Sequence, residues 1–220
     1  MHSFPKHLLD GYHHFMADRY ARETARYREL ARSGQSPTTM VIACCDSRAA
    51  PETIFDVGPG ELFVLRNVAN LVPPHEMDEA QHGTSAAIEF AISGLHITDL
   101  VVLGHGRCGG IRAALNPGHA LTQSDFIGKW MHLLAPVTDQ VATYSFLTPG
   151  ERETVLERLS VRNSIKNLRT FPFIAKAETE GKLALHGAWF DVSTAELWVM
   201  DPETGDFGRP EPDAPLPKSA

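Results

Sequence analysis

Two short segments of this 220-residue chain carry side chains that bind soft metal ions. The first, ACCDSR at positions 43–48, sets Cys44 close to an acid and a base, Asp46 and Arg48. The second, GHGRCGG at 104–110, places His105 and Cys108 at H-x-x-C spacing. Thiolate and imidazole are zinc-type donors. Three such ligands with a fourth position open make a catalytic zinc site, in which a bound water is acidified toward neutrality.

The second segment has a competing reading. Gly104, Gly106 and Gly109 spell G-x-G-x-x-G after an apolar run, the fingerprint of a dinucleotide-binding turn. That site needs an acid about 20 positions on, at the end of the next strand. The nearest acid is Asp125, at a helix start, and no strand pattern appears before residue 183. The metal reading is therefore preferred, and the glycines are assigned to a tight turn and helix packing. Cys45 has no partner at ligand spacing and is assigned to no metal.

The elements around these segments explain how distant residues can meet. TTMVIACC (38–45), ELFVLRNV (61–68) and DLVVLGH (99–105) are β-prone apolar runs, as expected of buried parallel strands. GTSAAIEFAISGL (83–95) predicts a helix opened by Thr84 or Ser85 and closed near Gly94. Strands alternating with helices imply βαβ units, so the expected fold class is α/β, a mainly parallel central sheet flanked by helices. In such a sheet the loops at the carboxyl ends of strands share one rim. Cys44 ends one strand, and His105 and Cys108 follow another, so the three converge. Residues 6–32 predict one long amphipathic helix, an N-terminal arm that must pack on a neighbouring subunit or on the chain's own core. A further helix is expected from Ser124. Thr148-Pro149-Gly150-Glu151 is a capping box with Pro at the first helical position, opening a helix that runs to just before Pro172. KLALHGAWFDV and AELWVM predict a C-terminal antiparallel hairpin at the edge of the sheet. The last 20 residues hold five prolines and predict an exposed tail.

Composition is that of one globular domain, 43% apolar and 21% charged. The expected division of residues 1–220 is an arm (1–34), a catalytic core (35–200) and a Pro-rich tail (201–220). Twenty basic against 27 acidic residues, net charge -7, argue against nucleic acid as a partner. No apolar run approaches the roughly 18 residues of a membrane span. MHSFPKHLLDGYHHF lacks the pattern of a secretory signal, and three cysteines are too few for a disulfide scaffold, so the expected location is cytoplasmic.

Cys44-Cys45-Asp46-Ser47-Arg48 and His105-Gly106-Arg107-Cys108-Gly109-Gly110 resemble the C-x-D-x-R and H-x-x-C signature of the β-class carbonic anhydrases. The likeness extends through GELFVLRNVANLVPP, GTSAAIEFA and TFPF and covers nearly all of residues 34–200. The resemblance implies reversible hydration of carbon dioxide to bicarbonate by attack of zinc-bound hydroxide, with one zinc per chain held by Cys44, His105 and Cys108. It gives Asp46 the role of hydrogen-bond acceptor for that hydroxide and Arg48 the role of keeping Asp46 ionised. It also implies a homodimer, alone or as a dimer of dimers. Members with a closed, bicarbonate-inhibited state have a pocket of Trp, Arg and Tyr, whose positions here are Val41, Arg66 and Phe190. Only the arginine agrees. The plant-like branch uses Gln, Phe and Tyr near the substrate. Gln35 and Phe63 match, and Phe90 replaces the tyrosine, so an open, plant-like site is expected. Two alternatives share the motif: a hydrolase of carbon disulfide or carbonyl sulfide on the same fold, and a zinc-stabilised binding module without turnover.

Overall fold

The computed structural model describes residues 4–78, 80–116 and 125–210. Helices α1 (Lys6–Ala17) and α2 (Arg19–Ser33) stand where one helix was expected. The break is at Asp18, with φ -114° and ψ -77°. Its cause is tertiary. Phe15 lies 5.9 Å from Tyr27, ring to ring, and Tyr20 packs between them. Twelve residues of straight helix would separate those rings by about 18 Å, so the chain folds back to form the aromatic cluster. Neither helix has a buried residue. α2 is tied to the turn before the second strand by Arg19 Nη2–H to the Val57 carbonyl and by Leu30 resting on Gly60.

After α2 come β1 (Thr39–Cys44), the short helix α3 (Pro51–Ile54), β2 (Leu62–Asn67), α4 (Gly83–Glu89), β3 (Asp99–His105) and α5 (Gly109–Leu115). α4 continues as one wide π-type turn over Phe90–Gly94. Its cap position is His82, not Thr84 or Ser85. Thr84 instead meets the Asn67 amide, 3.5 Å away. Next are α6 (Asp125–Met131), α7 (Ala135–Ala142), α8 (Pro149–Leu168) and α9 (Pro172–Thr179). The expected start of α6 at Ser124 lies outside the described residues. α8 has both halves of its capping box. α9 has no counterpart in the sequence reading.

β4 (Ala184–Asp191) and β5 (Glu196–Met200) form the expected antiparallel hairpin, and β4 also extends the parallel sheet beside β3. A short β6 (Phe207–Gly208) pairs with β5, so part of the segment assigned to an exposed tail belongs to the sheet. Residues 211–220 lie outside the described residues. The strand order is β2-β1-β3-β4-β5-β6, with the first four parallel. Met40 and Ile42 of β1 face a core with Val161, Ile165 and Leu168 of α8, while Val41 and Ala43 face a second core with Leu103 and Ala188. Burial on both faces explains the unbroken apolar runs. The chain winds from β1 outward to β2, then back past β1 to β3. That reversal opens the crevice at the carboxyl ends of β1 and β3 where α/β sheets bind ligands.

Candidate metal centre

Cys44 is the last residue of β1 and His105 the last of β3, while Cys108 stands at the cap position of α5. All three are buried. Their ligand atoms lie within 4.8 Å of one another. The two Sγ atoms are 4.0 Å apart. Sulfurs at about 2.3 Å from one zinc ion and at a tetrahedral angle stand about 3.8 Å apart, whereas a disulfide needs about 2.05 Å. The His105 Nδ1 is 2.9 Å from the Gly106 carbonyl. Donation from that nitrogen would leave Nε2 as the lone-pair nitrogen, the usual way a ligating imidazole is oriented. Nε2 is buried and has no hydrogen-bond partner among the described residues. An orphan of this kind costs about 1–3 kcal/mol, which a metal bond would remove. The donor set therefore fits a zinc ion.

The surroundings favour anionic sulfur. The Ala69 N–H points at the Cys44 Sγ, 3.3 Å away, from a residue at φ 62°. Its contact with Cys108 pulls the Cys44 thiol down, against its burial. The same contact and burial push the Cys108 thiol up, so the pair gives up one proton far more easily than two. Burial opposes protonation of His105, but the Cys44 sulfur beside it turns the net direction upward.

Asp46 and Arg48 lie beside this group. Arg48 grips both carboxylate oxygens, Nε to Oδ1 at 3.0 Å and Nη2 to Oδ2 at 2.7 Å. That pairing holds the Asp46 carboxyl well below the usual carboxylate range. Oδ2 of Asp46 is 4.0 Å from His105 Nε2, close to the group but too far for a hydrogen bond. Arg48 Nη2 also donates to the Arg107 carbonyl, which ties the β1 loop to the β3 loop. Arg66 donates to the carbonyls of Cys44 and Asp46 at 2.8 and 2.7 Å. It therefore braces the segment between them, from which the exposed Cys45 turns away.

The sequence-selected pocket residues are placed differently. Phe63 pairs with Met40 in the register of β1 and β2, four residues or about 13 Å along the strand from Cys44. Its ring packs on Phe90, 5.7 Å away, and Phe90 is 53% exposed. Gln35 is exposed in the segment leading into β1. Within one chain, these three lie toward the opposite end of the strands from the metal group.

One buried acid escaped sequence reading. Glu157 of α8 accepts from the Cys108 N–H at 3.1 Å and from the Trp189 indole N–H at 3.0 Å. Burial pushes its carboxyl up, and the two N–H contacts pull against that shift. The available signal was a carboxylate within the helical stripe of Leu156, Ser160, Val161 and Ile165. Arg66 and the Ala69 N–H were also missed as parts of the site. A backbone donor leaves no mark in residue type.

Residues 39–197 match the family model described as carbonic anhydrase. Beta carbonic anhydrase 3 of Arabidopsis thaliana is 34% identical over 203 residues, 90% of this chain and 78% of the relative. The solved structure of the beta-carbonic anhydrase CcaA superposes with a TM-score of 0.87 at 28% identity, covering 94% of this chain and 92% of that one. One of two tetrameric beta-carbonic anhydrases from Sordaria macrospora superposes with a TM-score of 0.77 at 28% identity, covering 92% and 98%.

Proposed function

Because this chain belongs to the β-class carbonic anhydrases, enzymes of reversible carbon dioxide hydration, we propose that Cys44, His105 and Cys108 hold one zinc ion beside an orienting Asp46–Arg48 pair. The observation that carries the assignment is three buried donors converging from two strand ends, one of them an unpartnered imidazole nitrogen. Zinc bound there would supply the field that acidifies water near neutral pH. Two thiolates cancel its formal charge, so the remaining polarity must come from the protein.

Asp46 provides that polarity. With both oxygens engaged by Arg48, its carboxylate stays ionised and acts as an acceptor only. An acceptor at this place turns the hydrogen of a reacting water away from the substrate and leaves a lone pair facing carbon dioxide. The same grip would hold the Asp46 carboxylate away from an ion bound by the three ligands, which supports the open form of the site. Val41 is buried in the core and Arg66 spends its Nε and one Nη2 bond on backbone carbonyls, so Val41 cannot take part in a bicarbonate pocket and Arg66 is already committed to bracing the loop.

Gln35, Phe63 and Phe90 are proposed as substrate-pocket residues delivered by a second copy of the chain. Their distance from the metal group within one chain and the exposure of Phe90 support that arrangement. No helix among the described residues is long and apolar enough to cross a membrane. Free cysteines, two of them proposed ligands, suit a reducing compartment, and the proposed location is cytoplasmic.

Stopped-flow hydration of carbon dioxide by zinc-loaded protein between pH 6.5 and 9 tests the proposal. Rapid turnover already at pH 7.5 is expected. Turnover appearing only well above pH 8 would mean that Asp46 occupies the metal near neutrality and that the open site is wrong. Absence of turnover with zinc present would overturn the mechanism.

A further inference from the structure

We propose that Glu157 is a positioning residue of the metal centre, holding Cys108 so that its sulfur and His105 meet Cys44 at one ion. This rests on the zinc reading of the site. Glu157 is 2% exposed on the face of α8 that packs against the sheet, where Leu156 and Val161 are fully buried. A carboxylate is costly there, and an apolar side chain would serve packing better. Its two oxygens each accept one N–H, and the donors come from different elements: the Cys108 backbone at the start of α5, and the indole of Trp189 on β4. The carboxylate thus joins α8, β4 and the ligand loop.

The loop needs such an anchor. Between His105 and Cys108 the chain passes through Arg107 at φ 58°, the left-handed region that a non-glycine residue enters at a cost. Cys108 opens α5 without a side-chain cap. On one side, Arg48 holds the loop by the Arg107 carbonyl. On the other, Glu157 holds it by the next N–H. The two grips set the peptide between Arg107 and Cys108, and that peptide sets the direction of the Cys108 side chain. Close approach of α8 to β3 permits the reach: a Cβ on Gly104 would meet Val161 Cγ2 at 2.7 Å.

Two N–H donors facing two oxygens also specify the carboxylate over its amide. Glutamine in the same place can accept only one of the bonds and turns its own NH2 toward the other donor. Glu157→Gln therefore changes almost no volume while breaking one grip. Zinc affinity of the full-length protein, measured by chelator competition, is expected to weaken by about 10- to 100-fold in this variant, as for other groups that orient a ligand. The visible absorption bands of the cobalt-loaded protein should shift with it. Leu168→Ala, a packing change on the same helix within the core cluster that contains none of the proposed ligands, should lower the melting temperatures of metal-free and zinc-loaded protein together and leave zinc affinity unchanged. Glu157→Gln should instead narrow the gap between those two melting temperatures. Glu157→Asp keeps the charge but shortens the reach, and it carries the same test if Glu157→Gln does not fold. A folded Glu157 variant with wild-type zinc affinity and wild-type cobalt bands would overturn the positioning role. Wild-type protein that binds no zinc would overturn the zinc assignment, and the role with it.

Discussion

Arg48 meets Asp46 through two nitrogens and also reaches the backbone of Arg107, so one exposed side chain sets both a charge and a loop. Its effect on stability has a definite pH window. The Asp46 carboxyl is held below its ordinary value in the folded chain, and an unfolded aspartate titrates near 3.9. The depressed group binds fewer protons when folded, so its stabilisation is complete above about pH 5 and declines as the pH falls below about 4. The stability difference between wild type and Arg48→Ala should therefore be flat from pH 5 to 9 and shrink in acid, as denaturant titrations at each pH would show. A difference that grew toward acid would contradict the assigned direction. Turnover of Arg48→Ala at pH 7.5 should fall by about 10- to 100-fold, the cost of losing a group that orients another. At this scale the sequence was most legible where chemistry resides in residue type. Cys44, Asp46, Arg48, His105 and Cys108 were all marked by their identities and by the strands that precede them. Glu157 was not, because the role proposed for it depends on which N–H groups surround it after folding.

Glycines show what the elements require of the ligand loop. The G-x-G-x-x-G spelling is accounted for by packing at its first two positions. A Cβ on Gly104 would collide with Val161 of α8, and one on Gly106 would stand 3.1 Å from the Trp189 ring. Gly109 has open space, and the left-handed residue of the turn is Arg107. Of the two expected roles for these glycines, helix packing holds at Gly104 against α8, whereas the left-handed turn falls on Arg107 and Gly106 makes room for β4. Gly104→Ala should destabilise the protein by about 1–3 kcal/mol through overpacking, lowering the melting temperature by about 2–4 °C for each kcal/mol. Gly109→Ala, at the exposed first residue of α5, should change stability by less than about 0.5 kcal/mol. Calorimetry of the two variants side by side checks both, and equal losses would refute the packing account. Strands β1 and β3 were readable to within a residue because burial on both faces writes a continuous apolar run, and β2, half-buried at the sheet edge, kept a run apolar enough to read as well. The capping box marked α8 for a local reason. The break at Asp18 carries no proline or glycine signal, since a ring cluster formed across the bend places it. β6 exists only through its two-residue pairing with β5.

One chain contains every proposed metal ligand, yet it exposes apolar groups in two places. Phe4, Leu8, Tyr12 and Met16 recur every fourth residue, mostly within α1, and therefore form a single stripe. They are 62%, 50%, 55% and 38% exposed. A contiguous apolar stripe rimmed by pairs such as Lys6–Asp10 marks an association surface. The second place is the Phe63–Phe90 pair, remote from the metal group of its own chain. A second copy would cover the first and bring its own pair to the active crevice, which makes a homodimer, or a dimer of such dimers, the expected unit. Leu8→Glu with Tyr12→Glu puts two carboxylates into the stripe and should give monomers by sedimentation velocity where the wild type sediments as a dimer or larger. Because Cys44, His105 and Cys108 all lie in one chain, the monomer should retain zinc. Because the proposed pocket residues come from the neighbour, its kcat/KM for carbon dioxide should drop by at least about tenfold, equivalent to about 1.4 kcal/mol of transition-state stabilisation. A zinc-loaded monomer with full activity would show that the crevice is complete within one chain and that Phe63 and Phe90 serve packing alone.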